Sequence, residues 1–271
     1  MPVGGGRGPQ RIVCLTEETT ETLYLLGEEA RIVGISGFTV RPPRARREKP
    51  RVSAFTSAKI DKILALKPDL VLGFSDLQAD IAQSLIRAGI EVHVYNHRSV
   101  AGILEMIRSL GALVDAAPRT EALLDRLQGH LAAVAARAAT LPTRPRVYFE
   151  EWDEPPIAAI RWVGELVELA GGLNIFPELS AEPLGRDRII GDPLEIVRRR
   201  PDIIVGSWCG KKFAPAAVAA RPGWDAVPAV RDGALYEVKS PLILQPGPAA
   251  LTDGVDALQA IILDWSARRA G

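Results

Sequence analysis

The chain has 271 residues, 47% of them hydrophobic and 24% charged, which is ordinary for a globular protein. Thirty-three basic residues balance thirty-three acidic ones, so the formal net charge is zero. Without a basic excess there is little to neutralise a phosphate backbone or to dock on an anionic membrane. No run approaches the roughly 18 apolar residues of a membrane span. We therefore expect neither nucleic-acid binding nor membrane insertion.

The N-terminal residues 1–10 are rich in Gly and Pro and contain no apolar stretch of the kind found in secretory signals. We expect a flexible tail here and, if Met1 is the native start, a cytoplasmic protein. A leader that was removed would change that expectation.

Two cysteines, Cys14 and Cys209, are too few for a disulfide framework. Both stand in apolar surroundings, which predicts small buried thiols. A reactive or ligand-facing Cys209 is the alternative.

The first part of the chain alternates short apolar runs with helix-forming stretches. A capping-box sequence at 16–21 predicts the start of the first helix, which ends at Gly27. A segment rich in Pro and Arg, 38–51, predicts a loop. Strands are predicted at 11–15, 31–35, 70–72 and 92–95, and further helices at 57–66, 77–88 and 99–114. This alternation is typical of a parallel or mixed sheet covered on both faces.

A stretch rich in Ala, Leu, Arg and Glu, 119–139, predicts a long helix in mid-chain. At about 1.5 Å per residue it would span roughly 30 Å, enough to lie across two lobes. The alternation then resumes. Strands are predicted at 146–149, 203–205 and 235–238, and helices at 162–170, 192–200 and 249–269.

An internal repeat divides the chain. Residues 63–73 align without gaps on residues 196–206, and in each copy a helix ends at a basic residue, Pro-Asp turns the chain and an apolar strand follows. The repeat predicts an N-terminal α/β lobe over 11–115, a connecting helix over 116–141 and a C-terminal α/β lobe over 142–271. Ligands of open α/β sheets bind outside the carboxyl ends of the strands, so we expect a cleft bordered by the loops after the repeated strands.

Several segments resemble the cobalamin- and siderophore-type periplasmic binding proteins, the substrate-binding components of ABC importers. Residues 12–16, 31–35 and 62–71, the last with Lys-Pro-Asp-Leu-Val, resemble the first lobe of that family. Residues 149–152, with Glu-Glu-Trp, together with 161–166 and 170–172, resemble the start of the second lobe in the cobalamin-binding branch. The resemblance runs from about Arg11 to Trp265. It implies a class III fold, in which two similar lobes with mostly parallel sheets are joined by one long rigid helix.

The resemblance also implies a function: capture of a large chelate between the lobes, as in ABC importer uptake, in the periplasm or at the cell surface. Cobalamin or a related corrinoid is the first candidate ligand, and haem or a ferric siderophore are alternatives. We expect a monomer that is not an enzyme, since the sequence has no G-x-S-x-G elbow, P-loop or G-x-G-x-x-G turn. A cytoplasmic corrinoid or haem carrier or sensor without a transporter, and an α/β enzyme using the same cleft, are the alternative functions.

A flat, amphipathic ligand needs aromatic faces and a few polar groups. Trp152 and Trp208 are the leading candidates, because each is predicted to follow a strand. We therefore predict these ligand contacts from both lobes: Phe38, Arg41, Phe55, Thr56, Phe74, Ser75, Trp152, Trp162, Trp208 and Gln245.

Docking on a transporter is the least supported part of the resemblance. Family members present a Glu on each lobe to transporter arginines, and here the corresponding positions are near Asp80 and Gln245. Asp80 could substitute, whereas Gln245 carries no charge. His93 and His97 have a spacing that suits a metal ion, but a satisfied histidine at a strand end is the favoured interpretation, and we predict no metal site.

Overall fold

The computed structural model describes residues 8–270, which form two compact units. Unit 1 contains the described residues up to His97 and Ala101–Arg126, and unit 2 contains Arg98–Val100 and the described residues from Leu127 onward. None of the helices within residues 8–270 combines the length and the apolar composition that a membrane-spanning segment needs.

Unit 1 is built on a five-stranded parallel sheet. Its strands are β1 (Ile12–Cys14), β2 (Ile32–Ser36), β3 (Arg51–Ser53), β4 (Leu70–Phe74) and β5 (Val92–Tyr95), in the order β3-β2-β1-β4-β5. The helices of this half are α1 (Glu17–Leu25), α2 (Ala45–Glu48), α3 (Ile60–Ala65), α4 (Ala79–Arg87), α5 (Val100–Leu113) and α6 (Ala117–Ala138). Apart from Arg98–Val100, the division between unit 1 and unit 2 falls inside α6, between Arg126 and Leu127.

Unit 2 has a mixed sheet. Its strands are β6 (Arg146–Asp153), β7 (Pro156–Ala158), β8 (Leu173–Asn174), β9 (Ile203–Gly206) and β10 (Leu235–Glu237). The order is β10-β9-β6-β7, with β7 antiparallel to β6 and β8 also paired to β6. The helices are α7 (Arg161–Leu169), α8 (Pro177–Ser180), α9 (Leu194–Arg199), α10 (Pro215–Ala219), α11 (Pro228–Arg231), α12 (Ser240–Ile243) and α13 (Val255–Ala270).

The apolar patterns explain why these elements pack. In α5 the buried residues Ile103, Met106, Ile107 and Leu110 recur at helical spacing and form one apolar face. The parallel strands β1 and β4 are apolar on both faces, as expected when helices cover both sides of the sheet. The prediction of an α/β fold with mostly parallel sheets is confirmed.

The repeated Pro-Asp motif forms the same joint in both units. Lys67 and Arg200, each just before the Pro, adopt left-handed backbone conformations with φ of 48° and 47°. The Asp69 carboxylate accepts the Arg11 N–H at 2.8 Å, and the Asp69 N–H donates to the Arg11 carbonyl at 3.0 Å. In unit 2 the Asp202 carboxylate accepts the Arg146 N–H at 2.9 Å, and its own N–H donates to the Arg146 carbonyl at 2.8 Å. In each unit, therefore, one Asp anchors the amino end of a neighbouring strand.

Three local predictions are wrong. The segment predicted as a loop, 38–51, contains α2 and the start of β3. The capping box does not form, because the Thr16 hydroxyl donates to Glu18 Oε1 at 2.5 Å instead of accepting a backbone N–H. Cys209 is exposed, although its apolar neighbours predicted burial, whereas Cys14 is buried as expected.

Candidate functional site

The second half of β6 in unit 2 begins with a buried carboxylate that forms hydrogen bonds with three side chains. The Glu150 side chain is fully buried, and Arg221 donates to both of its oxygens, at 2.6 and 2.9 Å. The Tyr148 hydroxyl donates to Oε2 at 3.0 Å and the Trp208 indole N–H donates to Oε1 at 3.1 Å. A buried carboxylate is tolerated when it is paired and hydrogen-bonded in this way. Glu150 therefore fixes the position of the Trp208 indole.

Trp208 follows β9 as predicted, whereas Trp152 lies inside β6, because that strand is four residues longer than expected. The Trp208 ring is 5% exposed and packs edge-on against Phe213, with ring centroids 5.0 Å apart. Trp152 is half-buried, and its indole N–H donates to the Glu154 carbonyl at 3.0 Å.

Lys211 joins the two tryptophans. Its ammonium lies 4.4 Å from the Trp152 ring centroid and 4.9 Å from that of Trp208, within the range of cation–π attraction. The same ammonium is 2.5 Å from Asp153 Oδ1. Two aromatic side chains that are distant in sequence are thus held around one cation.

A cavity of about 410 Å³ opens beside this cluster. It lies where the chain leaves β9 and β10, the end of the sheet at which α/β proteins bind ligands. Its lining includes Trp208, Gly210, Lys211, Lys212, Glu237 and Lys239. Sequence reasoning missed the three lysines. The adjacent pair Lys211-Lys212, three and four residues after Trp208, is the sequence signal for two of them.

A second cavity in unit 2, of about 350 Å³, is lined by charged side chains that already have partners. Arg161 donates to Glu165 Oε1 at 2.9 Å, and Glu165 Oε2 accepts the Val100 N–H at 2.7 Å. Glu168 accepts from Asn174 and Arg144. These contacts tie elements together, so the cavity has a structural explanation.

In unit 1 the carboxyl end of β1 leads into buried acidic residues that the sequence had presented as a helix start. Glu17 and Glu18 are 6% and 1% exposed. Burial, with help from neighbouring carboxylates, raises the pKa of Glu17 to about 8. Burial raises the pKa of Glu18 to about 7, although the Thr16 hydroxyl acts in the opposite direction. Glu17 and Glu18 thus hold their protons at higher pH than ordinary carboxyls do, whereas Glu150 is bonded to a guanidinium.

The predicted contacts of unit 1 have different environments. Phe38 is 56% exposed, Phe55 is half-buried and Thr56 is exposed. The Arg41 guanidinium donates to Glu21 Oε1 at 2.8 Å. Asp80 is exposed on α4.

Four predicted contacts are largely enclosed in their own units. Phe74 is 6% exposed and meets the His97 ring edge-on, at 5.3 Å. Ser75 is 2% exposed, and its hydroxyl accepts the Leu77 N–H at 3.2 Å. Trp162 is 3% exposed, and its indole N–H donates to the Ile243 carbonyl at 2.8 Å. Trp208, described above, is the fourth enclosed residue. Gln245, the remaining predicted contact, is half-buried.

The described residues contain no cluster of side chains that could bind a metal ion. Within residues 8–270, no three His, Cys, Asp or Glu side chains are arranged to hold one. His93 lies inside β5, with its ring 4.4 Å from that of Tyr95, and His130 Nε2 is 3.0 Å from Asp256.

Known proteins resemble this chain over most of its length. A cobalamin-binding protein of Halobacterium salinarum is 27% identical over 255 residues, which cover 89% of this chain and 66% of that protein. This chain thus spans just under two thirds of that relative.

Two solved structures share the fold. One, from Staphylococcus epidermidis, is described as a possible iron-binding periplasmic solute-binding protein; it has a TM-score of 0.81 and 21% identity, and covers 94% of this chain and 99% of its own. The other is the periplasmic haem-binding protein of Roseiflexus sp. RS-1 in its apo form, with a TM-score of 0.77 and 23% identity, covering 94% of this chain and all of its own.

The class III architecture expected from the sequence is confirmed by these structural neighbours. A model of the periplasmic binding protein family matches residues 12–242, most of the chain, and the chain therefore belongs to the periplasmic binding protein family.

Proposed function

We propose that this chain is a solute-binding protein that captures a large metal chelate at the carboxyl ends of its strands. Cobalamin or a related corrinoid is the first candidate, and haem or a ferric siderophore are the alternatives. The observation that carries the proposal is the cluster of Trp152, Trp208 and Lys211 beside a cavity at the end of the unit 2 sheet. The family match and the cobalamin-, iron- and haem-binding names of the similar proteins support it.

The aromatic groups supply the chemistry that such a ligand needs. Flat macrocycles stack on indole and phenyl faces, and burial of such area dominates their affinity. Trp152 and Phe38 are accessible enough to offer a face directly, while Trp208 forms a wall held by Glu150. We assign further polar or edge contacts to Arg41, Phe55, Thr56 and Gln245.

Three of the expected contacts have another explanation. The Trp162 indole N–H and the Ser75 hydroxyl are engaged by backbone groups, and Phe74 ends β4 with its ring largely covered. We give these residues a supporting role in the fold and leave them out of the proposed contact set.

Delivery to an ABC permease is part of the proposal. Asp80, exposed on α4, is the side chain that would meet a transporter arginine. Gln245 has no charge to contribute, so we assign it to the ligand and not to docking.

Calorimetric titration with cyanocobalamin, haem and ferrichrome tests the proposal. We expect one of them to bind at micromolar concentration or below, and Trp152→Ala to weaken that ligand at least about tenfold, the equivalent of 1.4 kcal/mol. Trp265→Phe is the matched control, since Trp265 lies on α13 and is 5% exposed. Absence of binding to all three, or equal effects of the two substitutions, would contradict the proposal.

A native mass spectrum of the protein as purified offers an independent test. A ligand retained from the cell would appear as a discrete mass increment, from which the chelate is identified directly. An increment matching an unrelated metabolite, such as a nucleotide sugar, would favour an enzyme that uses the same site.

A further inference from the structure

We infer that the cavity beside Trp208 is an anion subsite, which holds a carboxylate or phosphate group at the edge of the ligand. This inference rests on the proposed function, and it narrows the ligand class to chelates that carry an anionic side group. It assigns that contact to Lys211, Lys212 and Lys239.

The position of the lysines comes from the fold. Lys211 and Lys212 belong to the segment that follows β9, and Lys239 follows β10, its parallel neighbour. Strands that run in parallel end at the same edge of the sheet, so the two segments meet around one cavity. This cavity, of about 410 Å³, is open to solvent on one side, as a subsite for a group at the edge of a ligand would be.

The charge of the lining is unbalanced. Three lysines face one carboxylate, Glu237, whose Oε1 already accepts the Phe213 N–H at 3.2 Å. Lys211 is paired with Asp153. Within the described part of the chain, neither Lys212 nor Lys239 forms an ion pair, and both are exposed. Like charges gathered at one cavity repel each other, and an anion placed among them removes that cost.

The rest of the lining suits an anionic arm on an apolar body. Trp208 offers an apolar wall whose position is set by its bond to Glu150. Lys211 is held between two indole rings and Asp153, so it loses less freedom on meeting a ligand than an unrestrained lysine would. Ser240 adds a hydroxyl donor at the cavity edge.

The candidate ligands differ in the group that this subsite would bind. Iron protoporphyrin IX presents carboxylates, and cyanocobalamin presents a phosphodiester among neutral amides. Each has a counterpart without the anionic group: the porphyrin dimethyl ester, and dicyanocobinamide, which lacks the phosphodiester together with the nucleotide attached to it. The two pairs therefore distinguish a carboxylate from a phosphate.

The test measures the dissociation constants of both pairs with the wild-type protein and with the double variant Lys212→Gln/Lys239→Gln. We expect the wild type to bind the charged member of at least one pair about tenfold more tightly than its neutral counterpart. The double variant should lose most of that preference and bind the neutral member unchanged. Added salt should weaken the charged member only.

A matched control removes two charges elsewhere. Lys59→Gln/Lys62→Gln alters two exposed lysines of unit 1 and should keep the preference intact. If the wild type binds a chelate but treats charged and neutral members alike, or if the two double variants behave alike, the anion subsite is wrong while the proposed function stands. If no chelate binds to the wild type, both are wrong.

Discussion

Each unit buries glutamates on or just after its first strand, β6 or β1, and the groups that surround these glutamates differ. In unit 2, Glu150 meets Arg221 in a two-pronged ion pair. In unit 1, Glu17 and Glu18 follow β1 without a guanidinium bonded to them, Glu18 Oε2 has no hydrogen-bond partner among the described residues, and the pKa of each carboxyl is raised. A shared α/β plan therefore leaves local electrostatics open: Glu150 is bonded to a fixed cation, whereas Glu17 and Glu18 have raised pKa values.

The largest effect should come from removing the fixed cation. Arg221→Ala leaves Glu150 buried and unpaired, which costs about 3–5 kcal/mol when a partner of a buried pair is lost. Urea denaturation should show this loss, whereas Arg198→Ala, which removes exposed ion pairs with Asp192 and Glu195, should cost far less. Equal losses of unfolding free energy in the two variants would mean that the ion pair between Glu150 and Arg221 does not stabilise unit 2 more than an exposed pair does.

The next largest effect should come from two glycines that occupy equivalent positions in the two units but have different space around them. Gly73 and Gly206 are equivalent in the repeat, but a Cβ on Gly206 would overlap the Phe213 ring. A Cβ on Gly73 would lie 2.9 Å from Gln78 Oε1, which accepts the Phe74 N–H. We expect Gly206→Ala to lower the free energy of unfolding by roughly 1–3 kcal/mol. Gly73→Ala should cost about 1 kcal/mol, the value of a disturbed hydrogen bond. Thermal denaturation of both variants measures the difference. A larger loss of unfolding free energy in Gly73→Ala than in Gly206→Ala would contradict this expectation.

Unit 1 should show a pH dependence that comes from its protons. Because the folded-state pKa values of Glu17 and Glu18, about 8 and about 7, exceed the ordinary value of 4.5, the folded chain holds protons that the unfolded chain releases. This stabilisation is complete below about pH 4.5 and is lost as the pH rises through 7 and 8. Between pH 6 and 8 we expect the free energy of unfolding to fall by about 1 kcal/mol or more.

The double variant Glu17→Gln/Glu18→Gln is the check on that pH dependence. It should flatten the curve between pH 6 and 8, because the amides do not titrate. A curve with the same slope as the wild type would place the titrating groups elsewhere.

The smallest effect on the free energy of unfolding should come from the left-handed residue that precedes the Pro-Asp motif in both units. Lys67 and Arg200 occupy left-handed conformations that cost energy for any residue with a Cβ. Lys67→Gly and Arg200→Gly should each raise the free energy of unfolding by about 0.5 kcal/mol, after the greater chain entropy of Gly is included. Lys62→Gly, inside α3, should lower it by about 1 kcal/mol. Opposite signs at Lys67 and Arg200 would show that the two joints differ.

The sequence predicted those elements whose signals are local. β5 was expected at 92–95 and is found there, and apolar runs indicated β1, β4 and β9. β3 was missed because Val52 is its only aliphatic residue and a Pro precedes it. The length of β6 was underestimated because its second half begins with Glu150 and Glu151, whose burial depends on arginines far along the chain.

The same reasoning explains which parts of the candidate site could be predicted. Trp208 was found because it follows an apolar strand. Lys239 was missed because nothing near it in sequence indicates that β10 pairs with β9. Glu17 and Glu18 had the local pattern of a helix cap, and only the packing around them reveals that they are buried.

The Asp69 and Asp202 joints have a consequence for how this chain can change. Each Asp fixes the amino end of a strand. The loops at the carboxyl ends of the strands lie at the opposite edge of the sheet. The joint at Asp202 makes no contact with segment 207–212, so we expect a change of sequence in that segment to leave the joint intact. Because each unit has its own joint, we expect a substitution at Asp69 to disturb the unit 1 sheet and one at Asp202 to disturb the unit 2 sheet.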